Sequence, residues 1–150
     1  MVFAKAHACS GEPFALVQKP VDQVGRVHYD EIMLFNMFQS QSDPALNLSP
    51  QDVKAKLDGG EKIVFLDVRE PWEVAVNRLD GAVHIPLGEL GRRYQELNPD
   101  DEIIAYCHMG VRSLKATRFL KDQQFKNVKN LAGGIDAWSL QIDPKVPRYR

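Results

Sequence analysis

Cysteine is scarce in this chain of 150 residues: only Cys9 and Cys107 occur, far apart in sequence. Two cysteines cannot build a disulfide framework, and no Cys-x-x-Cys pair is present to suggest a zinc site. An unpaired thiol is better tolerated in a reducing compartment, so a cytoplasmic setting is expected. No stretch approaches the roughly 18 consecutive apolar residues of a membrane-spanning helix. The opening MVFAKAHACSGEPF also lacks an apolar run of signal-peptide length, so neither membrane nor secretion is expected. Charge of one sign is not in excess either: 19 Lys and Arg face 20 Asp and Glu, a formal net charge of -1. Such a balance creates no global field, and nucleic acid and anionic lipid are not expected partners. Internal repeats and low-complexity tracts are lacking, which excludes a solenoid.

What remains is ordinary globular material, 44% hydrophobic and 26% charged. It is enough for one domain with a sizeable core. The chain divides near Leu46. Residues 1–45 read as an N-terminal extension: a polar start, a short apolar patch Phe14–Val17, Pro20, and a helix expected over Tyr29–Gln39. The apolar Ile32–Phe38 patch within that helix needs burial, which makes the arm a candidate dimerisation or docking element. Ser40 to Asn47 reads as a linker interrupted by Pro44.

From residue 46 to 150 the pattern is that of a catalytic domain. Ser49-Pro50-Gln51-Asp52 carries a helix N-cap, a first-turn proline and an acidic residue three places on, and Gly59-Gly60 should stop the helix. Ile63–Leu66, Ala82–Ile85, Ile103–Tyr106 and Val128–Leu131 are apolar runs of strand length. Helices are expected to begin at Glu70–Glu73, over Val111–Gln123, and over Ile135–Leu140. In the second of these Leu114, Phe119 and Leu120 should face the core and Lys115, Arg118 and Lys121 water. Strands alternating with helices predict an α/β fold, a mostly parallel central sheet with helices on both faces.

The chemistry concentrates in AYCHMGVRSLKATRFL. Cys107 ends a buried strand, and a short loop, His108, Met109, Gly110, Val111 and Arg112, leads into a helix. Ligands of open α/β sheets bind at the carboxyl ends of strands. Loop N–H groups above a helix N-terminus cradle negative charge, which favours the thiolate, the nucleophilic form of Cys107. Gly110 permits the tight turn, and Arg112 either braces the loop or meets an anionic substrate. A lone cysteine after a strand is often an inert core residue; the glycine, the arginine and the helix argue otherwise. Cys107 and His108 are adjacent and cannot readily share a tetrahedral metal centre, so no metal is expected.

The loop CHMGVRS resembles the active-site loop of rhodanese-like sulfurtransferases. Three further segments match that family in order: LDVREPWE (Leu66–Glu73), DGAVHIPLGEL (Asp80–Leu90) and LAGGIDAW (Leu131–Trp138). The resemblance covers about residues 48–140 and implies a rhodanese-like fold with no cofactor. It implies that Cys107 forms a persulfide, that His108 to Arg112 supply the N–H cradle, and that Arg69 helps hold an anionic donor. For Arg69 the alternative is an ion pair with Glu70 or Glu73. Asp67 is read as a supporting residue that orients the loop. The donors implied are thiosulfate, polysulfide, glutathione persulfide or the persulfide of a cysteine desulfurase. The ending AWSLQIDPKVPRYR is similar to the tails of rhodanese domains fused to molybdopterin and thiolation adenylyltransferases, which implies a sulfur-carrier protein as partner.

Two other functions fit parts of the pattern. Cysteine phosphatases also close a Cys loop with arginine, but theirs has five intervening residues where this chain has four. A non-catalytic interaction module would retain the fold alone. His84 reads as a hydrogen-bonded strand-end residue, Trp72 and Trp138 as core aromatics, Gly133-Gly134 as a turn beside the active loop, and Cys9 as a bystander or relay thiol.

Overall fold

The computed structural model describes residues 43–150. The helix expected over Tyr29–Gln39, Cys9 and all of the expected arm but residues 43–45 lie outside the described residues. A parallel sheet of five strands runs in the order β1-β5-β4-β2-β3. The strands are β1 (Asn47–Leu48), β2 (Ile63–Asp67), β3 (Val83–His84), β4 (Glu102–Tyr106) and β5 (Val128–Leu131). Four α-helices connect them, α1 (Pro50–Asp58), α2 (Pro71–Val76), α3 (Leu87–Arg93) and α4 (Val111–Asp122), with a 3-10 turn at Tyr94–Glu96, and α5 (Gly134–Gln141) follows the last strand.

The central strand β4 shows how the sheet separates two cores. Successive side chains of a strand alternate between faces. Ile103, Ala105 and then Cys107 join the core that contains Leu90 of α3 and Ala116 and Leu120 of α4. Ile104 and Tyr106 join Val53 of α1 and Ile135 and Trp138 of α5 on the other side. With both faces covered, β4 has no solvent-facing register, and Ile103 to Tyr106 are all fully buried. The thiol is therefore delivered to the α4 face by the parity of the strand that precedes it.

Helix α1 starts as its sequence demands. The Ser49 hydroxyl accepts the Asp52 N–H at 3.1 Å, and the Asp52 carboxylate accepts the Ser49 N–H at 3.3 Å, a complete capping box. Three expectations change. Asn47, read as the end of a linker, pairs with Asn130 of β5 and opens the edge strand. Helix α3 was not anticipated, because Gly88 and Gly91 within it obscure any helical signal. Trp72 is 62% exposed, not a core aromatic, whereas Trp138 is 7% exposed.

Candidate active site

Cys107 stands at the carboxyl end of β4 with 1% of its surface exposed. Gly110 then adopts φ +90°, left-handed backbone that side chains rarely tolerate, and serves as the N-cap of α4. Space enforces the same choice, since a Cβ here would lie 3.0 Å from the Gly133 nitrogen. The turn directs the Gly110 N–H back onto the Cys107 Sγ at 3.1 Å. Ser113, in the first turn of α4 and fully buried, donates its hydroxyl to the same sulfur at 3.4 Å. The first N–H groups of α4 have no acceptor inside the helix, and its N-terminus carries partial positive charge. The sulfur thus sits where negative charge is stabilised and water is scarce. Ser113 had no role in the sequence reading. Its signal was available: the third residue of a helix projects toward the N-terminus, which is where Cys107 lies.

A second loop holds the first. Gly133 and Gly134 have φ of +73° and +62° and start α5. From that start the Ile135 N–H donates to the Cys107 carbonyl at 2.8 Å, and the Asp136 N–H donates to the His108 carbonyl at 3.2 Å. A Cβ on Gly134 would collide with both carbonyl oxygens. The turn expected at Gly133-Gly134 therefore packs directly on the backbone of Cys107 and His108.

The basic side chains of the site are each committed to a carboxylate. Arg112, at the end of the Cys loop, forks onto both oxygens of Glu73 at 2.6 Å. Glu73, on α2, is 3% exposed. Burial pushes its carboxyl up, but hydrogen bonds from Arg112, the Glu70 backbone and Tyr149 outweigh that and hold it at about 2. Arg69 is fully buried. Its Nε and Nη2 reach Asp67 at 2.9 and 2.6 Å. Its remaining donors go to the Asn77 side chain at 2.7 Å, the Asn77 carbonyl at 2.8 Å and the Tyr149 hydroxyl at 3.1 Å. The guanidinium expected to hold an anionic donor thus faces inward, and its ion-pair partner is Asp67, not Glu70 or Glu73. Asp67, 1% exposed, also accepts the Arg69 backbone N–H at 3.1 Å. His84, at the end of β3, places Nε2 2.8 Å from the Arg69 carbonyl.

The rim is aromatic and apolar. His108 stacks on Tyr149 with ring centroids 4.3 Å apart and planes 22° from parallel. Trp72 meets the same Tyr149 edge-on at 6.0 Å, and Met109 is 55% exposed beside His108. Val111, the first residue of α4, is half-buried. Tyr149 too had no assigned role, because nothing in a tail of alternating polar and apolar residues reveals that it folds back by 80 positions onto Arg69. Among the described residues, no three His, Cys, Asp or Glu side chains converge into a metal-binding cluster.

Comparison with known proteins places this geometry. A family model described as "Rhodanese-like domain" matches residues 49–141. The chain is 45% identical over 92 residues to "Putative sulfur carrier protein YrkF" of Bacillus subtilis, covering 61% of this chain and 50% of that one. It thus spans half the length of that relative. It is 36% identical over 98 residues to "Putative sulfurtransferase YtwF" of the same organism, covering 65% of this chain and 94% of the relative. The crystal structure of a rhodanese-related protein from Thermoplasma volcanium superposes with a TM-score of 0.61 at 27% identity, over 68% of this chain and 97% of that one. A parallel sheet with helices on both faces, a cysteine loop closing the central strand and a matched family model together mean that the chain belongs to the rhodanese-like domain family.

Proposed function

We propose that this chain is a sulfurtransferase in which Cys107 takes up a sulfane sulfur as a persulfide and passes it to a thiophilic acceptor. One observation carries the reading: the Cys107 sulfur receives the Gly110 N–H and the Ser113 hydroxyl at the N-terminus of α4. The same donors that favour a thiolate favour the terminal anion of Cys–S–S⁻, so one site serves both halves of the cycle.

In the first half the thiolate attacks the outer sulfur of the donor. With thiosulfate, a new S–S bond forms at Cys107, the donor's S–S bond breaks, and sulfite departs with the electron pair. In the second half a nucleophilic acceptor, a thiolate or cyanide, attacks the outer sulfur, and Cys107 leaves as the thiolate. This is covalent catalysis by double displacement, and neither half needs a separate base once the cysteine is ionised. Polysulfide, glutathione persulfide or a cysteine desulfurase persulfide would enter by the same first step. A sulfur-carrier protein is a candidate acceptor, supported by the name of the YrkF relative. Because Arg69 and Arg112 are held by Asp67 and Glu73, the bound anion in this reading is met by loop N–H groups first and by side-chain charge only at longer range.

Intact-mass measurement after incubation with thiosulfate or glutathione persulfide tests the proposal. The expected result is a gain of one sulfur that maps to Cys107, disappears on cyanide treatment and is abolished in Cys107→Ser. A chain that gains no sulfur from any sulfane donor would instead be a non-catalytic module, and gain on Cys9 would indicate a relay.

A further inference from the structure

We infer that Tyr149, in the C-terminal tail, is a positioning residue that sets the Cys107 loop from both of its ends; the role in sulfur transfer rests on the function proposed above. Its phenol donates to Glu73 Oε1 at 2.7 Å. That oxygen also accepts Arg112 Nη2 at 2.6 Å, and Arg112 terminates the loop. On its other side the phenol oxygen accepts Arg69 Nη1 at 3.1 Å. The hydroxyl therefore bridges the buried Arg69–Asp67 pair and the pair of buried Glu73 with partly exposed Arg112, and adds to the Arg112 fork and the Glu70 N–H in orienting the Glu73 carboxylate. The ring of the same residue stacks on His108, directly after the nucleophile, at 4.3 Å. One side chain thus constrains residues 108 and 112, the two flanks of the turn whose Gly110 N–H meets the sulfur.

The tail is tied down well enough to do this. The Ser139 hydroxyl donates to the Val146 carbonyl at 2.7 Å, the Asn77 amide donates to the Pro147 carbonyl, and Arg148 pairs with Asp136 at 2.7 Å. Burial raises the Tyr149 phenol to about 12, with Glu73 acting in the same direction against Arg69. It therefore stays protonated and able to donate throughout the working range. Tyr149 does not touch the sulfur, so its removal should slow the step without weakening donor binding.

The test uses the full chain with Cys9→Ser, so that thiol chemistry reports on Cys107 alone. Tyr149→Phe keeps the ring and removes the hydroxyl; Tyr149→Leu removes both. Loss of the hydroxyl's two hydrogen bonds, to Glu73 and from Arg69, predicts a fall of about tenfold or more in the maximal rate of sulfur loading for Tyr149→Phe, with half-saturating donor concentration unchanged. The rate of Cys107 alkylation by iodoacetamide at neutral pH should fall in parallel, and this readout holds whether or not the chain transfers sulfur. His108 ring-proton NMR signals should keep their ring-current shift in Tyr149→Phe and lose it in Tyr149→Leu, with a further loss of loading rate. Loading and alkylation rates in Tyr149→Phe that match the parent would overturn the proposal, even if the melting temperature had dropped. Should the parent take up no sulfur while alkylation still responds to Tyr149, the sulfurtransferase reading fails and the positioning role stands.

Discussion

Two residues that look alike in the sequence, Arg69 and Arg112, part company in the fold. Both follow a core strand, and both are natural candidates to meet an anion. Arg69 is sealed between Asp67, Asn77 and Tyr149, and a buried cation left without its partner costs several kcal/mol. Asp67→Ala should therefore lower stability by about 3–5 kcal/mol, measured by chemical denaturation, because it strands the Arg69 charge. Arg69→Met should likewise destabilise the domain while leaving the half-saturating concentration of an anionic donor unchanged; a raised value would return Arg69 to the binding site. Ser113→Ala tests the opposite kind of residue. It removes a neutral hydroxyl donor from the Cys107 sulfur, worth about 1 kcal/mol, so loading should fall roughly fivefold with little change in melting temperature. The place of Cys107 between a buried strand and a glycine-started helix was legible from the sequence because the apolar run, the glycine and the helix pattern are all local signals. The inward direction of Arg69 was not, since burial of a charge is decided by elements distant in sequence.

Among the elements, the β4–α4 unit was readable almost to the residue. The apolar run Ile103–Tyr106 marks the strand, and α4 ends at Asp122, one residue short of the expected Gln123. Within it Leu114 and Leu120 are buried, Phe119 is partly so, and Lys115 and Arg118 are exposed. Local pattern suffices there because one face of the helix must cover the sheet. The start of α5 shows where local pattern stops. Gly133-Gly134 announces a turn, but its tight approach to the carbonyls of Cys107 and His108 exists only when β4 and β5 lie side by side. Gly134→Ala, strained at φ +62° and in collision with both carbonyls, should displace the Cys loop. The expected result is a drop in Cys107 alkylation and loading of tenfold or more, with far-ultraviolet circular dichroism retained; unchanged loop chemistry would mean that the backbone absorbs the methyl elsewhere. Helix α3 escaped prediction for a related reason. Its sequence LGELGRR has two glycines, and it is held by Leu90 packing into the core instead of by propensity.

Across the whole molecule, Glu73 joins α2, the Cys loop and the C-terminal tail through Arg112 and Tyr149. This makes stability pH-dependent in a definite direction. A carboxyl held at about 2 in the folded chain and near 4.5 when unfolded contributes its full share above the unfolded value. That share is lost as pH falls from about 4.5 toward 2, and Glu73→Gln should remove most of this part of the acid dependence. The check is a comparison of unfolding free energy at pH 7 and pH 3: the gap between the two should narrow in Glu73→Gln, and an identical gap would show that other carboxylates govern acid unfolding. By itself the sequence determined the alternation of strands and helices, the family, and the place of Cys107 at the end of a buried strand, because these depend on spacing, capping and turn residues that act over a few positions. Only the tertiary structure decided which arginine is buried, that Ser113 meets the sulfur, and that Tyr149 closes the network. Those outcomes are contacts between segments up to 80 residues apart, where the cost of burying a charge and the parity of a strand, set by the packed sheet, select the partners.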